Sequence, residues 1–148
     1  MLTRAFWRSG RKIIQDSVKE QKTMNRSQLV ALVEGYFAAL DNRDVAGTLA
    51  YFVPEATFTI ASYDTVYRGR DTEIRGMLER LYARYAGVWH GEFDHVVETP
   101  TRIASRFRVR NTTHEGKYLY KSNSNFFRVR DGLLDDVYVY MSGENSLT

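Results

Sequence analysis

Tyr36 is the first side chain in this sequence whose setting points to chemistry. It lies in LVALVEGYFAALDN, where Leu29, Val30, Leu32, Val33, Phe37 and Leu40 recur at helical spacing. The phenol therefore projects from the apolar stripe of a helix rather than into water. A phenol held against an apolar wall can donate a hydrogen bond to a carbonyl or to a developing oxyanion. A second set is KSNSN, Lys121 to Asn125. If Asn125 faces inward, the two-residue period of a strand puts Asn123 and Lys121 beside it, and such a row can read carbonyls and hydroxyls on a ligand. The alternative is a strand twisted or bulged near an edge or a dimer interface, where these groups meet water. His90 and His95 have opposite parity, so on a regular strand only one of them faces inward. His114 adjoins the Glu115-Gly116 turn and is expected to be exposed. None of the three histidines has the spacing of a familiar metal site, and no metal is expected. Arg106, Arg108 and Arg110 alternate with Phe107 and Val109, which reads as a solvated face opposite a buried one, extended by Arg128 and Arg130.

These groups need elements to hold them. A helix is expected over Ser27 to Asn42, with Ser27 as its N-cap, and a second over Val45 to Phe52, capped by Asp44 and stopped by Pro54. ATFTIA, Ala56 to Ala61, reads as a strand, and Ser62 to Gly69 as a loop. A third helix starts at Asp71 or Thr72, carries Ile74, Met77, Leu78, Leu81, Tyr82 and Tyr85, and ends at Gly87. Four strands follow: Trp89 to Glu98, Arg102 to Thr113, Tyr118 to Arg130 and Leu133 to Met141, with Asp131-Gly132 as a hairpin turn. Helices first and a long antiparallel meander last imply an α+β fold. In it a curved sheet wraps around helices, and its concave face makes a pocket.

The chain has 148 residues, enough for one domain with an appendage. Of its 21 Lys and Arg, seven fall in residues 1–26 beside only two acids, so the rest of the chain has a net charge of −2. That asymmetry marks 1–26 as a basic N-terminal extension and 27–145 as the domain. The extension carries no nucleic-acid motif. It reads as an added or surface-binding helix, a transit-like segment, or sequence upstream of a start at Met24. The absence of cysteine excludes disulfides, thiolate metal sites and a cysteine nucleophile, and suits a reducing cytoplasm. No apolar run is long enough to span a membrane. No phosphate loop or nucleotide motif occurs, so no cofactor is expected. Aromatics make up 14% of the chain, enough to line a large cavity or to pack a β-rich core.

The order of elements, with the phrases GYFAALDNRD, YRGRDTEIRGML and FFRVRDGLLDDVYVYMSGEN, resembles the nuclear transport factor 2-like superfamily, in its SnoaL-like and ketosteroid-isomerase-like branch. The resemblance implies a cone-shaped, strongly curved antiparallel sheet closed by three helices, and a homodimer through the sheet faces. It implies an oxyanion donor at Tyr36 and a second at Asn125, where the isomerase has a protonated Asp. The isomerase base is missing, because Ile60 stands at its position. Asp64, four residues on, is the expected substitute. The resemblance also turns Tyr138, Tyr140 and Ser142 toward the ligand. With Phe52, Phe58, Ile60, Trp89 and Asn123, these form the expected ligand-binding wall.

Two functions follow from that pattern. One is an isomerase, cyclase or dehydratase acting on a hydrophobic ring ketone or enol. The other is a non-catalytic ligand-binding or dimerisation domain, which the missing base favours.

Overall fold

The computed structural model describes residues 23–148. The expectations for the basic extension lie almost wholly outside that range. Helix α1 runs Arg26–Asp41, one residue earlier than its apolar period suggested. Its N-cap is Asn25, not Ser27. Asn25 Oδ1 accepts from the Gln28 amide at 2.9 Å, and Gln28 Oε1 accepts from the Asn25 amide at 3.0 Å, a reciprocal capping box. Leu29, Leu32, Val33, Tyr36, Phe37 and Leu40 form its buried stripe. Helix α2 (Val45–Leu49) is capped by Asp44 and is shorter than expected. Pro54 does not end it. The chain is already extended from Phe52, and β1 (Phe52–Ile60) carries Pro54 at an irregular stretch of its pairing, between Phe52 and Thr57. A proline is tolerated there because the ladder needs no donor from it.

The expected loop after β1 is a helical turn at Ala61–Tyr63 followed by a short strand, β2 (Thr65–Arg68). A wide turn at Gly69–Ile74 then leads into α3 (Arg75–Arg84). The strands β3 (Gly87–Thr99), β4 (Arg102–Thr112), β5 (Tyr118–Arg130) and β6 (Leu133–Met141) complete the chain. One six-stranded sheet results, in the order β2-β1-β6-β5-β4-β3. It is antiparallel except that β1 and β6 pair in parallel. Its inner face covers α1 and α3, and its outer face carries the arginine row. Among the described residues no helix is long and apolar enough to cross a membrane.

One irregularity decides what the inner face carries. Between Gly91 and Asp94, β3 has one residue more than the β4 stretch it faces, Arg108 to Arg106. Glu92 is that extra residue, with φ of 56°. A β-bulge of this kind reverses the parity of everything beyond it. His90 pairs with Val109 and His95 with Ser105, so both histidines face inward. The rule that only one of them could do so fails because the strand is not regular. Phe93 also turns in and stacks on His95, with centroids 5.4 Å apart. Phe37 of α1 sits at the centre of this cluster, 4.8 Å from the His90 ring, 5.2 Å from Phe93 and 4.7 Å from Phe107.

Deleting Glu92 should therefore destabilise the domain by roughly 3 kcal/mol or more, since it turns His90 or the Phe93 and His95 pair out of the core. Glu92→Gly keeps the bulge and supplies a residue at ease with positive φ, so it should change stability by less than about 1 kcal/mol. Urea unfolding of the two variants checks this pair of outcomes.

Candidate functional site

A cavity of about 30 Å³ lies between α1, α3 and the inner face of the sheet. Its walls are mostly apolar, from Phe37, Leu40, Phe58, Met77, Leu78 and Phe107, and its polar lining includes Tyr36, His90, Asn111, Asn123 and Asn125. The apolar walls keep the dielectric low, which strengthens each polar contact made inside.

Tyr36 is 2% exposed. Phe52 supports its ring edge-on at 5.5 Å and Phe127 at 6.2 Å. Burial, with smaller contributions from Tyr82 and Asp41, pushes the Tyr36 phenol well above its ordinary value. It therefore stays protonated and can only act as a neutral donor or acceptor. No hydrogen bond from another described residue engages it.

His90 is held from two sides by Asp41, the last residue of α1. Its Nδ1 lies 2.6 Å from Asp41 Oδ1, and its backbone N–H donates to Oδ2 at 2.8 Å. Because a carboxylate only accepts, Nδ1 carries the proton, and the lone pair of the neutral ring is on Nε2. Nε2 has no protein partner among the described residues, and the ring forms part of the cavity wall. Orientation by a carboxylate with the other nitrogen free is the arrangement of a general base.

The three amides are unusual for a core. Asn111, Asn123 and Asn125 are 2%, 8% and 3% exposed. Asn111 Nδ2, Asn123 Oδ1 and Asn125 Oδ1 are buried without any protein partner. Such atoms cost stability unless something else satisfies them.

Seven expected site residues do not line the cavity. Asp64 is exposed at the end of the helical turn, with φ of 49°. The turn carries it into solvent and off the cavity wall. Tyr138 and Tyr140 are 41% and 49% exposed. The β5–β6 register turns Val137, Val139 and Met141 inward, and the tyrosines share the outer face with Phe126. Ser142 is exposed, its hydroxyl accepting from the Ser122 amide at 2.9 Å. Trp89 is on the outer face under the Arg110 guanidinium, because the neighbouring His90 takes the inward position. Phe52 and Ile60 are buried beneath the site rather than at the cavity surface. Tyr36, Phe58, Asn123 and Asn125 do line it together.

Asp41 and Asn111 were missed in the sequence, though each left a signal. An acid at a helix C-terminus opposes the macrodipole, and Asp41 is such an acid. Asn111 continues the inward parity of Phe107 and Val109 and, with Ser105, is a polar exception in that row. Among the described residues no group of three or more His, Asp or Glu could hold a metal ion.

The SnoaL-like domain profile matches residues 33–137. The chain belongs to the SnoaL-like family. No curated protein matches it. Among solved structures it is similar to a candidate polyketide cyclase from Xanthomonas campestris, with 21% identity and a TM-score of 0.70 over 78% of this chain and 90% of that one. AusH from Aspergillus nidulans shares 11% identity at a TM-score of 0.70, over 84% and 91% of the two chains. PrhC from Penicillium brasilianum shares 17% at 0.71, over 79% and 82%. At these identities the likeness is one of fold, so the SnoaL-like cone is common ground and the chemistry rests on the side chains of this chain.

If the amides exist to meet a ligand, removing one should stabilise the free protein. Asn125→Leu should raise stability by about 1–3 kcal/mol, because it deletes an unpaired buried polar group at similar volume. Thermal unfolding without ligand measures this, and a loss of stability would mean that the amide is satisfied in solution.

Proposed function

We propose that this SnoaL-like protein is a proton-transfer enzyme acting on a hydrophobic, ring-containing ketone or enol, of the isomerase, cyclase or dehydratase type. One observation carries the reading: the Asp41–His90 pair on the wall of the cavity that Tyr36 and the amides also line. His90 Nε2 takes a proton from the carbon beside the substrate carbonyl. Asp41 fixes the tautomer and faces the charge that then forms on the ring. Tyr36 and Asn125 donate to the enolate oxygen. The base is thus supplied from β3, in place of the carboxylate that Ile60 excludes from β1.

The assay is solvent deuterium exchange into tetralone and a panel of related enolisable ring ketones, followed by NMR. His90→Ala should slow exchange about 10²–10⁴-fold, the usual contribution of a general base. Tyr36→Phe should slow it about 10²–10³-fold, the usual contribution of an oxyanion donor. Exchange that is absent for every ketone, or indifferent to both substitutions, would sink the enzymatic reading.

A second reading, a binding domain without turnover, draws on the small size of the cavity and on Asp64 lying in solvent. It predicts retention of an apolar ligand with no exchange chemistry, and mass spectrometry of small molecules carried through purification tests it.

The outer face of the sheet supports a homodimer in either case. Val96, Phe126, Tyr138 and Tyr140 are 62%, 50%, 41% and 49% exposed there, around a cleft of about 790 Å³. Exposed apolar surface of this kind marks an interaction site. Phe126→Arg should convert a dimer to monomer in light scattering after gel filtration, and a wild type already monomeric would remove this part of the proposal.

A further inference from the structure

The segment that follows β6 closes part of the cavity wall. It turns at Gly143, with φ of 68°, and Ser146 and Leu147 form part of the cavity wall. It joins no strand. Side chains hold its main chain by the carbonyls. Tyr63 donates to Gly143 O, Arg84 to Asn145 O at 2.8 Å and Tyr67 to Leu147 O at 2.7 Å. Lys121 Nζ donates to Ser142 O at 2.7 Å and to Glu144 O.

Lys121 differs from the other latches. It is 8% exposed, on the inner face of β5, paired with Val109 and two residues from Asn123, both of which line the cavity. Its ammonium has no carboxylate within 4 Å among the described residues. Glu144 offers it only a main-chain oxygen, and the Glu144 side chain is 93% exposed, 4.0 Å from Arg84. Carbonyl dipoles solvate a cation but leave its charge unneutralised, and a nearly buried unpaired charge is costly. Burial also pushes the Lys121 ammonium below its ordinary pKa, only partly opposed by Glu144.

Size adds the second constraint. A cavity of about 30 Å³ holds roughly one water, whereas small-molecule sites measure roughly 300–1,000 Å³. A ligand seated on Tyr36 and the amides must take space now used by Ser146 and Leu147. Lifting that segment removes the Glu144 acceptor from Lys121, while Ser142, held by Ser122, keeps the other, and one N–H of the ammonium is released toward the ligand.

We infer that residues 143–147 are a strap displaced by the ligand, and that Lys121 then pairs with a carboxylate on it, so that the pocket selects apolar ring compounds bearing an acid group. This rests on the pocket reading above, and it adds a ligand class and a coupling between binding and strap. The Glu144 carbonyl acts as a placeholder for the carboxylate, which makes a charged and stronger partner than it does.

The test compares two fluorescent probes on the full chain, naphthoate and the uncharged naphthylmethanol. Wild type should bind naphthoate about tenfold more tightly, the gain of one charge-assisted hydrogen bond. Lys121→Met should lose that preference while keeping its affinity for the alcohol. In wild type, naphthoate should also speed amide hydrogen exchange across residues 143–147, a readout that needs no variant. Equal binding of the two probes by wild type, a preference that survives Lys121→Met, or a strap that naphthoate leaves equally or better protected would each overturn the inference. If the alcohol binds and the acid gains nothing, only this inference falls. If neither probe binds, the pocket reading falls as well.

Discussion

Helix α1 has to be covered along its whole apolar stripe by the inner face of β3 and β4, and the bulge at Glu92 is what lets β3 do so from end to end. A regular strand would present alternate residues, and the aromatic run would break where parity fails. With one extra residue, His90, Phe93 and His95 all turn toward Phe37 and its neighbours. The same step sets His90 against Asp41 at the end of α1, and His95 between Ser105 and Glu34, at 2.7 and 2.9 Å. Both contacts join a strand histidine to a helix carboxylate. They fix α1 on the sheet at two points, one of them at the cavity. Packing and candidate chemistry therefore have a common cause.

The cavity is made at the expense of stability. Its apolar walls follow the ordinary logic of a core, but three amides, a phenol and a lysine are buried in or beside it. A row of leucines at Asn111, Asn123 and Asn125 would pack well and leave no unpaired atom. The polar set faces the cavity, whereas Phe52, Ile60, Ile103 and Val137 are buried outside its wall. That division separates the part of the interior that holds the fold from the part able to recognise something.

The fold was legible because its signals are local and redundant. The stripe in α1, the Asp44 cap, the Asp131-Gly132 turn and the long alternating strands each point the same way. Tyr36 was legible for the same reason, since helical periodicity fixes its face. Asn125 came from the resemblance, and Asn123 followed it by strand parity, which holds along β5. The failures share one physical origin: facing direction was carried across an irregularity or from another protein. His90 and His95 were separated by a parity rule that the bulge breaks. Tyr138 and Tyr140 were turned inward by resemblance, although their own neighbours Val137 and Val139 make the better buried pair. Asp64 was given a role by proximity in sequence, but a residue at a left-handed turn ending is directed by that turn and not by the strand before it. The Asp41–His90 contact joins residues 49 apart, and no local pattern encodes such a pairing.

On the proposed reading, with His90 as the base, its position has a consequence for selectivity. Ile60 is on β1 and His90 on β3, four strand spacings apart in the sheet, or about 19 Å along its surface. The curvature of the sheet brings both walls toward α1, yet they approach a ligand from opposite sides. Tyr36 projects from α1 into the space between them, so an oxygen held there offers one flank to β1 and the other to β3. Ile60, buried behind the first flank, offers it no proton acceptor. His90 meets the second. An oxyanion donor kept in place while the base changes walls would enolise a different carbon, or the opposite face of the same one. On that reading, two cones of this fold would differ in product according to which strand carries the proton acceptor.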